Sequence, residues 1–408
     1  MKSKILPSGN AFAIVLVLLC FITVPARAGV ITVTNTNDSG PGSLRQALAD
    51  ANDGDTITFA VTDTIGLTSG ELLVNSSITI SGPGANNLAV NGNAKSRVFH
   101  VASGKTVTIS GLALTNGNSG SDAGGGIYND HATLTLNECT VTGNSASFTG
   151  GGIFSDGFGG SANLEINNCT ISGNSALGGS AGGIFNDGER GSSATLEITN
   201  TTLSGNSAIF GGGICNNGFQ GNAPVTLRES TVSGNSANQG GGIYNVGKNF
   251  AGAIVTLANT IFKTGATGGN IWNDAGIIIS LGYNISNDDG SGYLTGPGDQ
   301  IDIDPLVGPL QDNGGPTFTH ALLKGSPAID TGDPNFTPPP FFDQRGPGFD
   351  RIVNGRIDIG SFEVQGSTPS PTSTPSATPT STPTPTPTPC TGRCSPTPRP
   401  RPTPAPRP

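Results

Sequence analysis

Apolar and polar residues alternate along this chain in short bursts, and the bursts repeat. A glycine-rich motif returns as GGGIYN at Gly124, GGGIFS at Gly150, AGGIFN at Ala181, GGGICN at Gly211, GGGIYN at Gly240 and GGNIWN at Gly268. Its isoleucine falls at 127, 153, 184, 214, 243 and 271, with spacings of 26, 31, 30, 29 and 28. A second motif lies between these: TVTGNSA from Thr140, TISGNSA from Thr170, TLSGNSA from Thr202 and TVSGNSA from Thr231. A third precedes it: TLTLN from Thr133, NLEIN from Asn163, TLEIT from Thr195 and VTLRE from Val225. Each period therefore holds three segments of period-2 alternation separated by Gly, Asn and Ser, which is a strand signal three times over. One such unit cannot bury its apolar face alone, so neighbouring units must stack. The expected fold is all-β: a right-handed parallel β-helix of three strands per coil, each rung roughly 4.8 Å from the next.

The alternation assigns faces. Leu134 and Leu136 point in, as do the pairs Cys139 and Val141, Cys169 and Ile171, Thr201 and Leu203, and Ser230 and Val232. The isoleucines form a core column. The residue after each faces out, and the asparagine after that faces in. Asn129, Asn186, Asn216, Asn245 and Asn273 are expected to stack as an amide ladder.

The flanks read differently. Lys2 and Lys4, an apolar run from Ala11 to Val24 and Ala26-Arg27-Ala28 form a signal peptide over 1–28, too short in its apolar part for a membrane span. Residues 29–60 hold a strand at Val30 to Val33 and a capping helix. That helix opens on a capping box, Ser43 with Gln46, and Leu44, Ala47, Leu48 and Ala51 share its apolar face. Irregular coils follow the helix through Thr56–Phe59, Leu72–Val74, Ser77–Ile80, Val98–Val101 and Thr106–Leu114, and the β-helix proper is expected over 61–301. Residues 302–365, rich in Asp, Gly and Pro, read as a closing coil and cap. Residues 366–408 are almost wholly Ser, Thr and Pro, a disordered stalk.

Composition narrows the partners. A net charge of −9 argues against nucleic acid. With 63 Gly the chain is a poor helix former. No transmembrane segment remains after signal cleavage, and a secreted or cell-surface monomer is expected. Six Cys, five in the mature chain, make no dense disulfide framework and no zinc motif. Cys139 and Cys169 sit on adjacent rungs as a thiol pair or a disulfide, and Cys390 and Cys394 are close enough for a local loop.

The GGGI and SGN motifs over about 114–275 resemble the GGAI and FxxN repeats of chlamydial polymorphic outer-membrane proteins, although Val141, Ile171, Leu203 and Val232 stand where the second motif would carry Phe. The opening DSGPGSLRQALADANDGDTITF resembles bacterial secreted pectin-lyase-like β-helix proteins, and DPLVGPLQDNGGPTFTHALLKGSPAIDTGD through DIGSFE resembles their choice-of-anchor C-terminal domain. The resemblance implies export and a β-helix. Pectin-active relatives use paired carboxylates, or Ca²⁺ with an Arg or Lys base. Their NTD, DD, GHG and RIK signatures are absent here as a set: Asp288-Asp289 stands alone, and His100, His131 and His320 sit in no GHG.

Three features remain as candidate chemistry. Asp302 and Asp304 alternate and are expected to share a face, in a structural role. An acidic column of Asp130, Asp156, Asp187 and Asp274, broken by Asn217 and Val246, offers Ca²⁺ a site, though turn chemistry is the simpler reading. The outward position after the isoleucine holds Tyr128, Phe154, Phe185, Cys215, Tyr244 and Trp272, an aromatic stripe on which sugar rings would stack unless Phe158, Phe219 and Phe250 fold back to bury it. No catalytic residue, metal ligand or cofactor is assigned. The expectation is a non-catalytic structural, adhesive or glycan-contacting module. The alternative is a polysaccharide lyase or glycoside hydrolase acting on uronic-acid polymers. A polar acidic–basic cluster on one outward strand face separates the two.

Overall fold

A computed structural model describes residues 28–248 and 252–366. Residues 1–27 of the expected signal peptide, residues 367–408 of the expected Thr/Pro stalk with Cys390 and Cys394, and Phe250 lie outside the described residues. The fold is the right-handed parallel β-helix expected, and its three long sheets hold ten, eight and nine strands among the described residues. The first sheet runs from Val30–Val33 to Ile277–Gly282, the second from Leu72–Val74 to Ile271–Asp274, and the third from Asp63–Gly66 to Ile285–Ser286. The isoleucines pair rung to rung in the second sheet, Ile127 with Ile153, then Ile184, Ile214, Ile243 and Ile271. All six are fully buried, each contributing about 1.5–3 kcal/mol.

The motifs have separable physical causes. In SGN the glycines Gly143, Gly173, Gly205 and Gly234 are left-handed, with φ from 61 to 70°. This swings the next residue inward at the corner between the third and second sheets. Asn144, Asn174, Asn206 and Asn235 are buried there. The Nδ2 of each of the first three donates to the Oδ1 of the next, at 3.0, 2.9 and 2.8 Å. Each Nδ2 also donates to a carbonyl of the preceding rung, from Leu114 O at 3.0 Å to Leu203 O at 2.9 Å. Alternation of apolar and polar positions does not reveal this second ladder. The GGG motif packs rungs tightly: a Cβ on Gly152 would sit 2.6 Å from the carbonyl oxygen of Gly183, and one on Gly183 2.4 Å from that of Gly213.

At the opposite corner Asn186, Asn216 and Asn245 donate onward to Asn216, Asn245 and Asn273, each at 2.9 Å. Ser155 interrupts this column: Asn129 Nδ2 reaches Ser155 Oγ at 3.2 Å, and Asn186 Oδ1 is left without a donor.

The N-terminal coils are more regular than expected. Phe99–Val101 pairs in register with Ile127–Asn129, and two further strands, Asp63–Gly66 and Leu88–Asn91, pair with each other. The strand Val30–Val33 already belongs to the first sheet. The helix Leu44–Asp50 buries Leu44, Ala47 and Leu48, but only half of its capping box forms. Gln46 N donates to Ser43 Oγ at 3.2 Å, while the Gln46 side chain turns instead to Asp50.

The C-terminal residues also differ from the closing coil expected. Leu294 and Tyr293 pack on the core at the end of the solenoid. The following segment returns along the outer face of the third sheet. Thr170 donates to Phe318 O at 2.6 Å, Thr202 to Gln344 Oε1 at 2.6 Å, and Ser361 contacts Thr231 at 3.1 Å. Asp302 takes a left-handed φ of 56°, which breaks its alternation with Asp304. Asp304 accepts from Lys263 Nζ at 2.9 Å. In this segment the Arg345 guanidinium lies 3.9 and 3.8 Å from the Phe349 and Phe362 ring centres and pairs with Asp343 at 2.6 Å. Burial pushes the Glu363 carboxyl up to about 8 against the opposing pull of Arg351.

Ser155→Asn continues the ladder from Asn129 to Asn186 and should raise the free energy of unfolding by about 1 kcal/mol in a denaturant titration. Glu363 links stability to pH, because the folded state holds its proton more tightly than the unfolded chain does. Its stabilising contribution is complete below the unfolded value near 4.5 and is lost as pH rises through about 8. Melting scans across that window should show a loss with rising pH that is smaller in Glu363→Gln than in the parent.

Candidate active site

The second sheet fixes an outward column one residue after each core position. Register places Leu73, His100, Tyr128, Phe154, Phe185, Cys215, Tyr244 and Trp272 one above another. Its middle is closed: Phe154 is 9%, Phe185 7% and Cys215 2% exposed, packed with Ala181 and flanked by Tyr128, Tyr244 and Val246. Cover comes from the turn that opens the motif, and not from Phe158, which is 46% exposed. At that turn Gly150 and Gly211 are left-handed and so close that an added Cβ would lie 2.9 Å from the Cβ of Phe154 or Cys215. The Phe210 ring stands 5.3 Å from Tyr244. The Phe154 and Phe185 rings stack at 5.3 Å. Among the candidate stacking residues, Trp272 presents the open face, at 44% exposed.

The N-terminal end of the column is polar. Arg97, 4% exposed, donates to Glu71 Oε2 at 2.6 Å and Asp122 Oδ2 at 2.8 Å, and to the carbonyls of Ala123 and Gly124. Its guanidinium lies 4.8 Å from the Tyr128 ring centre. Glu71 Oε1 meets His100 Nδ1 at 3.0 Å, and this bond, with the Arg97 charge, holds the Glu71 carboxyl below its usual range. Glu71 is therefore an acceptor, so His100 Nδ1 carries the proton. His100 Nε2 is buried with no hydrogen-bond partner and points at Asp130 Oδ2, 3.7 Å away.

The next rung adds His131, whose Nδ1 contacts Asp130 Oδ1 and whose Nε2 donates to Phe158 O at 2.7 Å. Burial opposes protonation of His131, but Asp130, the Phe158 carbonyl and Asp156 together raise its pKa. Tyr128 donates to Asp156 Oδ2 at 2.6 Å; burial, then this carboxylate, drives the phenol pKa upward. Ligand atoms of Asp130, His131 and Asp156 lie within 4.8 Å of one another. A cleft of about 390 Å³, lined by Glu71, Lys95, Arg97, Asn118 and Asp122, opens on the Glu71–Arg97 side of the column.

The acidic column thus divides. Asp130 and Asp156 join this cluster. Asp187 accepts from Asn217 at 3.1 Å, and burial, then the neighbouring Glu189, pushes its carboxyl up to about 7. Asp274 sits at the far end beside Trp272. Asp288, of the isolated Asp pair, is occupied by Asn270, Ser286 and Gly290. Cys139 and Cys169 are buried thiols, Cys139 N donating to Cys169 Sγ at 3.3 Å. Motif spacing does not single out Glu71, Arg97, His100 and Asp122 as a group, because they precede the first glycine motif. The signal that could find them is Phe-His-Val at 99–101, where registering Phe99 with Ile127 turns His100 outward.

No protein-family profile and no curated protein matches this chain. Among solved structures it is similar to the crystal structure of pectate lyase Pel9A, at 14% identity and a TM-score of 0.38, covering 83% of this chain and 96% of that one.

Substitution separates the two ends of the stripe. Phe185→Ala should cost about 3–5 kcal/mol in denaturant unfolding. Trp272→Ala should cost at most about 1 kcal/mol, since its ring already meets solvent.

Proposed function

We propose that this chain is an exported β-helix that acts on polysaccharide, with its reaction centre at the N-terminal end of the outward column of the second sheet. One observation carries the reading: Glu71, His100, Tyr128, Asp130, His131 and Asp156 converge on one outward strand face, where Glu71 also lines an open cleft. Solvated surface charges rarely converge in this way, and titratable pairs with opposed environments are where acid–base chemistry is found. His100, oriented by Glu71, serves as the base, and the Tyr128–Asp156 pair supplies the proton. Trp272, at the far end of the same column beyond its closed middle, offers an extended glycan an open stacking face. Carboxylates outnumber cations here, with Glu71, Asp122, Asp130 and Asp156 against Arg97 and Lys95, so a neutral or amino-sugar polymer suits the face better than a polyuronate. Residues 1–28 serve export, and the Thr/Pro segment from 366 serves as a spacer that holds the β-helix away from the surface.

The test is to incubate the purified protein with β-glucan, chitosan and polygalacturonate and assay both new reducing ends and unsaturated chain ends. Release from at least one polymer is expected, with His100→Ala and Asp156→Asn slowed by about 100-fold or more. A second reading, glycan contact without cleavage, is favoured by the open face of Trp272. It replaces the first if no polymer is cut while a glycan array shows binding that Trp272→Ala abolishes.

A further inference from the structure

We infer that the His–carboxylate cluster is a binding site for a divalent first-row transition ion of the Zn²⁺ class, held by His100 Nε2, His131 Nδ1, Asp130 and Asp156. The inference rests on reading this cluster as the working site, and it makes His100 a ligand where the metal-free chemistry would use it as a free base.

The tautomers are fixed by the outer partners of the two rings. Glu71 already accepts from Arg97 at 2.6 Å and so stands as an acceptor to His100, which puts the proton of neutral His100 on Nδ1 and the lone pair on Nε2. The Phe158 carbonyl can only accept, so the proton of neutral His131 is on Nε2 and the lone pair is on Nδ1. Both nitrogens face the same carboxylate: His131 Nδ1 meets Asp130 Oδ1 through a proton that a bound ion would displace, and the His100 Nε2 lone pair is 3.7 Å from Asp130 Oδ2. Acceptors converging on acceptors repel unless a cation or a proton lies between them. A proton cannot bridge the His100 gap, because 3.7 Å is beyond hydrogen-bond range. Two ligands at about 2.0–2.1 Å on a tetrahedral ion stand about 3.3–3.4 Å apart, so a small inward rotation seats one. Asp130, His131 and Asp156 form the inner set, their ligand atoms within 4.8 Å of one another, and His100 joins it from the Asp130 side.

The outer partners have the form such centres need. Each imidazole donates its distal N–H to an acceptor, Glu71 or the Phe158 carbonyl, and Tyr128 holds Asp156 at 2.6 Å. Two imidazoles among four ligands favour Zn²⁺ or its neighbours over Ca²⁺, which takes oxygen ligands. All four side chains are only partly buried, so an ion has a path in from solvent.

Tag-free full-length protein, stripped with chelator, would be titrated with ZnCl₂ and separately with CaCl₂ by calorimetry, and with Co²⁺ by visible absorption. One Zn²⁺ per chain, a tetrahedral-type Co²⁺ spectrum and little heat from Ca²⁺ are expected. His131→Ala and Asp156→Asn should abolish the site. Glu71→Gln, which keeps the side-chain shape, should weaken it roughly 10–100-fold, and Asp274→Asn, at the far end of the sheet, should leave it unchanged. Circular dichroism of each variant shows that the coil survives. No saturable Zn²⁺ binding by the parent, or equal binding by folded His131→Ala, overturns the inference. Glycan cleavage that persists in stripped, Zn²⁺-insensitive protein would remove the metal and leave the enzyme reading standing. Zn²⁺ binding with no cleavage of any polymer would do the reverse.

Discussion

Buried carboxamides at two of the three corners hold the central coils of this chain together. Main-chain hydrogen bonds hold strands together along the flat sheets, but a corner must turn, and a turning backbone leaves carbonyls facing the dry interior. Asn144, Asn174, Asn206 and Asn235 each take up such a carbonyl, and the first three pass the amide on to a neighbouring rung. An unpaired polar group there would cost about 1–3 kcal/mol per rung. The same amides set the pitch, because a hydrogen bond tolerates little stretch. Constant pitch is why the outward residues of the second sheet fall into one column, and why side chains from four separate coils, from Glu71 to Asp156, meet at one place.

The cluster inherits its order from that scaffold. Arg97 is enclosed by carbonyls and two carboxylates, and its ring contact with Tyr128 ties the polar end of the column to the packed aromatic middle. Phe154 and Phe185 contribute packing. They form a rigid backing on which Tyr128 stands, so the Tyr128–Asp156 bond is positioned by apolar contacts two rungs deep.

Recurrence is what makes the architecture legible in the amino-acid order. Ile127 through Ile271 announce a core column, and Asn186 to Asn273 a ladder, because each recurs at one phase of the period. Physical signals that do not recur are lost. Glu71, Arg97 and His100 lie in coils whose strands are short and lack the glycine signature, so alternation alone assigns them neither face nor register. The amide ladder at Asn144 is masked by its own motif: SGN reads as a turn, and only the left-handed glycine before it shows that the asparagine points inward. Phe158 after the motif is a conspicuous candidate to cover the stripe, yet it stands open to solvent, and the motif's own first glycine, at Gly150 and Gly211, lies against the column instead.

The return of residues 317–363 along the third sheet changes how the molecule can come apart. A bare solenoid behaves like a one-dimensional stack, able to fray from either end one coil at a time. Here Gln344 touches both Thr170 and Thr202, and Ser361 touches Thr202 and Thr231, so three successive coils are riveted to one segment. An unfolding front arriving from either end must halt at that seam or take all three coils together. The centre of the protein is thereby converted from a zipper into a block, and a pulling force applied along the axis would meet its highest resistance there.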